Sequence, residues 1–183
     1  MTINVALAGA GAFGIKHLDA MSKIEDVRVV SIVGRTLKPT EEVAARYGIG
    51  HVTTDLAESL ALDEVDAVVL ATPTQMHAAQ SIACLHAGKH VEVEIPLCDN
   101  LAEGRRVVEA QQQTGLVAMC GHTRRFNPSH QWVHRRVQAN EFEIQQMDVQ
   151  TYFFRRTNTN ALGNARSWTD HLLWHHAAHT VDL

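Results

Sequence analysis

The sequence predicts an α/β fold in which a doubly wound parallel sheet occupies the first 121 of 183 residues. Three observations support this class. Short β-rich runs alternate with segments of helical periodicity, as expected of βαβ units. Breaker residues Gly48 and Gly88 follow predicted helices, while Asp55 and Asn100 stand where helix N-caps are needed. Right-handed crossovers then place helices on both faces of the sheet.

The individual elements follow from these patterns along the chain. Six strands are predicted, the third of them weak: Ile3 to Ala8, Val27 to Val33, His51 to Thr53, Val65 to Ala71, His90 to Glu94 and Leu116 to Cys120. Five helices are predicted between them: Phe13 to Ser22, Pro39 to Tyr47, Leu56 to Leu62, Gln75 to Ala87 and Leu101 to Thr114.

The pattern changes after Gly121, where the start of an α+β domain is predicted. A helix is expected from Pro128 to about Ala139, and residues 144–154 alternate as one long strand. A polar loop extends to residue 166, and helical periodicity returns from Trp168. Because one strand cannot form a stable sheet by itself, we expect a truncated C-terminal domain over residues 122–183, after a first domain over residues 1–121.

The charge distribution supports the same boundary. Residues 1–121 contain 9 Lys+Arg and 15 Asp+Glu, a net charge of −6, whereas residues 122–183 contain 7 Arg and 5 Asp+Glu, a net charge of +2. Seven of the 12 histidines also lie in the second segment. This shift suggests that the first domain binds a cofactor and that the second contributes substrate chemistry.

Composition excludes several classes of protein. With 45% hydrophobic residues, 20% charged residues and a formal charge of −4, a nucleic-acid partner is not expected. No apolar stretch reaches the roughly 18 residues of a membrane helix, so no membrane partner and a cytoplasmic location are predicted. The three cysteines, Cys84, Cys98 and Cys120, have no metal or disulfide spacing and are interpreted as reduced, buried thiols.

A glycine motif follows the first strand and begins the first helix. In Gly9-Ala10-Gly11-Ala12-Phe13-Gly14, the first glycine permits a tight turn, the second a close approach of a pyrophosphate, and the third close helix packing. The helix N-terminus faces the anion. We therefore predict a Rossmann-type domain that binds a dinucleotide through Gly9, Gly11, Ala12, Phe13 and Gly14; a purely structural turn is the alternative.

The end of the second strand favours NADP over NAD. NAD enzymes place a carboxylate there for the ribose 2′-hydroxyl, whereas this chain has Gly34, Arg35 and Thr36. A guanidinium and a hydroxyl suit a 2′-phosphate, so Arg35 and Thr36 are predicted cofactor ligands and NAD remains a second possibility. The alternative is that Arg35 is a solvated loop cation.

The fourth strand ends in Thr72, Pro73 and Thr74, at the sheet edge where doubly wound folds bind ligands. We predict that these residues contact the cofactor ribose. His77 in the next helical turn is a further candidate ligand, and an ordinary helix-start residue is an equal alternative.

Together these motifs resemble the Gfo/Idh/MocA oxidoreductases. The matching stretches have the family's order and spacing: Gly9 to Gly14, Ala71 to Pro73, Gly88 to Pro96, Gly121 to Pro128 and His175 to Leu183. The resemblance implies that Glu94 and Ile95 also border the cofactor, and that the full-length protein is a homodimer. It implies NADP-dependent oxidation of a cyclic hemiacetal dicarboxylate to a pyrone in the protocatechuate 4,5-cleavage pathway.

Two departures from the wider family affect the predicted chemistry. Ile95 replaces a lysine that helps to deprotonate sugar alcohols, and His175 replaces an aspartate. A hemiacetal hydroxyl is more acidic, so a neutral imidazole suffices as general base. The resemblance makes His179 the first candidate base and His175 the second. Both share a helix face with His171. The alternatives for these three histidines are zinc binding and simple packing.

A dicarboxylate substrate requires bidentate donors, and the resemblance places three arginines beside the pocket. Arg124, Arg125 and Arg166 are therefore predicted to bind substrate, and Trp168 to form a pocket wall. For each arginine a solvated surface position is the alternative. For the whole chain, the alternatives are another dehydrogenase of the family, acting on a sugar or cyclic diol, and a non-catalytic NADP-binding sensor.

Overall fold

The computed structural model describes residues 2–152, 157, 159, 163, 165, 174 and 177–182. Six parallel strands form one sheet in the order β3-β2-β1-β4-β5-β6. Their bounds are β1 Ile3–Ala8, β2 Val27–Val33, β3 His51–Thr53, β4 Ala67–Leu70, β5 His90–Val93 and β6 Ala118–Cys120. The doubly wound sheet predicted from the sequence is therefore confirmed.

Helices cover both faces of this sheet. They are α1 Ala12–Met21, α2 Leu37–Tyr47, α3 Leu56–Leu60, α4 Thr74–His86, α5 Leu101–Thr114, α6 Pro128–Gln138 and the short α7 Ala178–Val181, and a 3-10 turn spans Thr123–Phe126. Asp55 and Asn100 cap α3 and α5 through their side chains, as predicted. None of the described helices has the length and apolar character that crossing a membrane requires.

The core has one layer on each side of the sheet. Val5, Leu7 and Ile32 pack with α1 and α2, while Val68, Leu70, Val91 and Val93 pack on the opposite face with α4 and α5. Alternate residues of β1 pack into opposite layers, since successive side chains of a strand point to opposite faces of the sheet. Burial on both faces agrees with the place of β1 in the middle of the sheet, beside β4.

The strand order reverses between β1 and β4. Ala71 donates a backbone hydrogen bond of 2.7 Å to Ala8, and Gly9 donates one of 2.8 Å to Val33, so three strand ends meet at one edge. Loops leave this switch point in opposite directions, and the crevice between them is where doubly wound sheets bind ligands.

Two predictions need correction. Residues 142–152 adopt no regular secondary structure, so the strand predicted from residue 144 is wrong over 144–152; no strand in the described part of the chain pairs with it. Cys84 and Cys98 are buried free thiols as expected, but Cys120 is partly exposed. Of the helix predicted from Trp168, α7 is confirmed, and residues 168–173 lie outside the described residues.

Candidate cofactor and catalytic site

The glycine turn between β1 and α1 is shaped for close approach. Gly9 has a φ of 108°, and a Cβ there would overlap the carbonyl oxygen of Ala71. A Cβ on Gly14 would overlap the carbonyl oxygen of Gly9. At Gly11 a Cβ would meet nothing within 4 Å. Gly9 and Gly14 are thus fixed by backbone packing, whereas Gly11 borders open space.

The N-terminus of α1 faces this open space. Gly11 is the N-cap and supplies no side-chain cap, and the first turn contains no acidic residue. The amide groups of Ala12 and Phe13 are therefore available to an anion at the positive end of a ten-residue helix. Phe13 is 58% exposed, and the Lys16 ammonium lies 4.9 Å from its ring centroid. The predicted pyrophosphate ligands form one cradle that fits the group.

The end of β2 carries no carboxylate. A Cβ on Gly34 would overlap the side chain of Thr40, whose hydroxyl donates a 2.7 Å hydrogen bond to the carbonyl oxygen of Thr36. Arg35 and Thr36 are exposed, and no acidic residue occupies the first turn of α2. Lys38 in that turn is a further exposed cation. It was not predicted as a cofactor ligand, although it stands two residues after Thr36 in the sequence.

The turn after β4 is braced from within. The Thr72 hydroxyl donates to Gln80 Oε1 at 2.6 Å. His77 is 1% exposed, with Nδ1 2.7 Å from the carbonyl oxygen of Pro96 and Nε2 2.8 Å from that of Thr72. The geometry gives His77 a bracing role, and its contact with the cofactor stays a prediction. Thr74 is also buried, so its side chain has little surface for a ligand.

Glu94 follows β5 and connects it to α1. Its Oε1 lies 2.8 Å from His17 Nε2 across 77 residues of sequence. The hydrogen bond to Glu94 raises the pKa of His17. Burial acts to raise the pKa of Glu94, but the hydrogen bond and charge of His17 outweigh it and lower that pKa. This hydrogen-bonded pair joins the glycine helix to the switch-point edge. The neighbouring Ile95 is buried.

Glu92 lies on the same face of β5, two residues before Glu94. Its Oε2 is buried and has no hydrogen-bond partner among the described residues. Burial raises the pKa of Glu92 to about 7, with the charge of His17 opposing and that of Glu94 adding to the rise. The sequence analysis missed Glu92 and His17, because strand alternation showed only that Glu92 and Glu94 share a face.

A second cluster follows β6. Arg125 Nε and Nη2 donate to the two carboxylate oxygens of Asp182 at 2.8 and 2.5 Å, and His122 Nδ1 lies 3.3 Å from Asp182 Oδ2. The hydrogen bonds from Arg125 lower the pKa of Asp182, although burial opposes them; the charges of His122, Arg125 and His179 reinforce the shift. This pairing competes with the substrate contact predicted for Arg125. The sequence analysis did not single out Asp182.

Some of the predicted catalytic and substrate-binding residues lie within the described part of the chain. His179 lies on α7 with its Nδ1 atom buried. Arg124 is partly exposed in the 3-10 turn. His171, His175, Arg166 and Trp168 lie outside the described residues, so their roles stay predictions. Within the described part of the chain, no three His, Cys, Asp or Glu side chains are arranged to hold a metal ion.

The sheet, the open glycine turn and the uncapped helix define a dinucleotide-binding Rossmann protein. The comparison with protein families is specific. Residues 3–122 match the oxidoreductase family with an NAD-binding Rossmann fold, Gfo/Idh/MocA, and residues 128–183 match the C-terminal domain of bacterial oxidoreductases. The chain belongs to the Gfo/Idh/MocA oxidoreductase family.

Individual relatives agree with this assignment. The chain is 65% identical over 181 residues to 4-carboxy-2-hydroxymuconate-6-semialdehyde dehydrogenase from Sphingobium sp. (strain NBRC 103272 / SYK-6), covering 99% of this chain and 58% of the relative. It is 36% identical over 127 residues to inositol 2-dehydrogenase from Rhodococcus erythropolis, covering 68% of this chain and 37% of that protein. The chain thus spans well under two thirds of the length of these curated relatives.

Solved structures share the fold. Scyllo-inositol dehydrogenase from Lactobacillus casei, solved with NAD(H) and scyllo-inositol, has a TM-score of 0.73 at 23% identity and covers 77% of this chain and 42% of its own. A 3-ketoreductase from Actinomadura kijaniata, solved with TDP-benzene and NADP, has a TM-score of 0.69 at 26% identity and covers 76% of this chain and 44% of its own.

Proposed function

We propose that the chain belongs to an NADP-dependent dehydrogenase that oxidises the cyclic hemiacetal of 4-carboxy-2-hydroxymuconate-6-semialdehyde to 2-pyrone-4,6-dicarboxylate. One structural observation supports it most. The glycine turn follows β1 and the cluster around Asp182 follows β6, so the pyrophosphate cradle and the helix bearing His179 lie at the same carboxyl edge of the sheet. The 65% identical relative that bears this substrate's name supports the choice of substrate.

The reaction divides between cofactor and protein. The nicotinamide supplies the hydride acceptor when bound. In the proposed mechanism His179 takes the proton from the hemiacetal hydroxyl as the ring C–H bond breaks, which leaves a lactone carbonyl. His175 is the second candidate for this proton. Glu94 and His17 hold α1 against the end of β5 and thereby keep the pyrophosphate cradle in register with the reacting edge.

Ile95 favours a hemiacetal over an ordinary alcohol. Its apolar side chain is 8% exposed at the position where the resemblance predicts a lysine. Without that ammonium, a substrate hydroxyl must be acidic enough for an imidazole to accept its proton. A cyclic hemiacetal meets this condition better than the secondary alcohol of a sugar. The inositol dehydrogenases among the relatives nevertheless make a polyol the second candidate substrate.

The preference for NADP is assigned to the residues after β2. No carboxylate that could bind a ribose 2′-hydroxyl stands at positions 34–36, while Arg35, Thr36 and Lys38 offer two cations and a hydroxyl. The N-terminus of α2 adds a positive partial charge without an acidic residue beside it. This set suits a 2′-phosphate.

The contact between Arg125 and Asp182 changes which arginines we assign to the substrate carboxylates. The fork of Arg125 is already occupied by Asp182, so we assign carboxylate binding first to Arg124 and Arg166, with Trp168 as a pocket wall. We also propose a homodimer for the complete protein. Exposed apolar side chains after Gly121, including Phe126, Trp132 and Met147, are consistent with a covered surface there.

The test is the production of NADPH by the protein expressed from the complete reading frame, with the semialdehyde and with myo-inositol as competing substrates. We expect turnover of the semialdehyde with NADP⁺. His179→Ala should lower kcat by about 100-fold or more and leave NADP⁺ affinity unchanged. His86→Ala, an exposed histidine at the far end of α4, is the matched control. Nucleotide binding without turnover of either substrate would favour the sensor and overturn the proposal.

A further inference from the structure

We infer that Asp182 is a positioning residue for His179, and that the Arg125–Asp182 pair holds the end of α7 against the turn that follows β6. This inference rests on the proposed function, because it gives His179 a catalytic proton transfer. Neither Asp182 nor its pairing follows from the motifs that suggested the activity.

The first observation is the geometry of the pair. Both oxygens of Asp182 are engaged by the Nε and Nη2 atoms of Arg125, at 2.8 and 2.5 Å, which is the fork arrangement that fixes orientation as well as distance. His122 approaches the same carboxylate to 3.3 Å. The Asp182 side chain is only 11% exposed, although that of Arg125 is 66% exposed. The carboxylate is therefore held by Arg125, with His122 beside it on the same short segment.

The second observation is where that segment lies. Gly121 donates a 2.8 Å backbone hydrogen bond to Val93, His122 donates one of 2.7 Å to Cys120, and Arg125 donates one of 3.1 Å to His122. These bonds connect the Arg125 backbone to the ends of β5 and β6. Because Asp182 is bound to Arg125, it lies close to the carboxyl edge of the sheet. Burial raises the pKa of Cys120 in the same region, and the charges of Glu92, Glu94 and Asp182 add to the rise.

The third observation is the spacing of Asp182 and His179. Asp182 is the C-cap of α7, and its amide donates to Ala178 at 3.2 Å. His179 lies three residues earlier, on the adjoining turn, where side chains at i and i+3 are neighbours. The charge of His179 contributes to the low pKa of Asp182. Fixing Asp182 thus fixes the turn that bears His179.

A stabilising surface ion pair is the simpler explanation. An exposed pair adds little to the stability of a fold, so stability and catalysis can be separated. Arg136 in the last turn of α6 and Glu141 just beyond the helix form such a pair, and both of their side chains are more than 40% exposed. This pair provides the matched control, since Glu141→Gln removes one carboxylate partner of an arginine just as Asp182→Asn does.

The experiment compares Asp182→Asn, Arg125→Gln, their double variant and Glu141→Gln with wild type in the protein expressed from the complete reading frame. We expect Asp182→Asn to lower kcat about 10- to 100-fold, as a displaced catalytic group does, and to leave the KM for NADP⁺ within about twofold. The double variant should be no slower than the slower single variant, because both remove one interaction. Arg125→Lys keeps the charge without the fork and should restore only part of the rate.

A second readout does not depend on turnover. The ring NMR signals of His179, assigned by their loss in His179→Ala, should move in Asp182→Asn and Arg125→Gln and stay in place in Glu141→Gln. Wild-type kcat and unmoved His179 signals in folded Asp182→Asn would overturn the inference while leaving the proposed function intact. A wild-type protein that binds NADP⁺ and turns over no substrate would overturn both.

Discussion

Replacing Glu92 by Gln should change how stability depends on pH. Glu92 is a half-buried residue of β5, and its buried Oε2 atom has no hydrogen-bond partner in the described part of the chain. Burial raises its pKa from 4.5 to about 7. An amide has nearly the same shape and does not titrate in this range, so the substitution removes the charge without leaving a cavity.

The sign follows from proton linkage. The folded state holds the Glu92 proton more tightly than the unfolded state, so this group's contribution to stability is present below about pH 4.5 and is lost as pH rises through about 7. The difference between these pKa values corresponds to roughly 3 kcal/mol. Because the carboxyl is partly solvated and coupled to His17, we expect about 1–2 kcal/mol in practice.

Urea unfolding at pH 5 and pH 8 measures this effect. The measured quantity is the unfolding free energy of Glu92→Gln minus that of wild type. This difference should be about 1–2 kcal/mol more positive at pH 8 than at pH 5. Glu94→Gln is the contrasting variant. It removes the hydrogen-bonded partner of His17. The attraction between the two charges is present above the ordinary carboxyl pKa and is lost as pH rises through the raised pKa of His17, so Glu94→Gln should be more destabilising at pH 5 than at pH 8. Parallel pH profiles for Glu92→Gln and wild type would refute the reasoning.

Three further substitutions separate binding from packing. Gly11→Ala should keep the melting temperature within about 5 °C and abolish NADP⁺ binding in calorimetry. The added methyl group enters only the space that the pyrophosphate needs. Retained binding would contradict this. Gly14→Ala should fail to fold or melt far lower, since its Cβ overlaps the Gly9 carbonyl oxygen, and a wild-type melting curve would contradict this. His77→Ala should cost about 2–4 kcal/mol in urea unfolding, because it removes a buried ring and its contacts with the Pro96 and Thr72 carbonyl oxygens. A cost below about 1 kcal/mol would disprove the bracing role.

Local patterns in the sequence were sufficient for most of the first domain. The predicted β1, β2 and α5 have the observed bounds, because each combines strong periodicity with a clear cap or glycine turn. The glycine motif could be interpreted for the same reason: its function depends on backbone freedom over six consecutive residues.

Long-range pairings could not be predicted in this way. His17 meets Glu94 across 77 residues, and Arg125 meets Asp182 across 57, so nothing in the local pattern of either partner indicates the other. The strand predicted from residue 144 failed for a related reason. Alternation shows that a segment could form a strand, but a strand also needs a neighbour to pair with. The catalytic base is untested, since only His179 of the two candidates is described.

Isothermal titration calorimetry of NADP⁺ and NAD⁺ against wild type and Arg35→Ala tests the cofactor assignment most directly. Charge-assisted hydrogen bonds to a 2′-phosphate contribute about 1.5–3 kcal/mol, so wild type should bind NADP⁺ at least about tenfold more tightly than NAD⁺. Arg35→Ala should lose most of that preference and keep its affinity for NAD⁺. Equal or tighter binding of NAD⁺ by wild type, or binding of neither dinucleotide, would contradict the assignment.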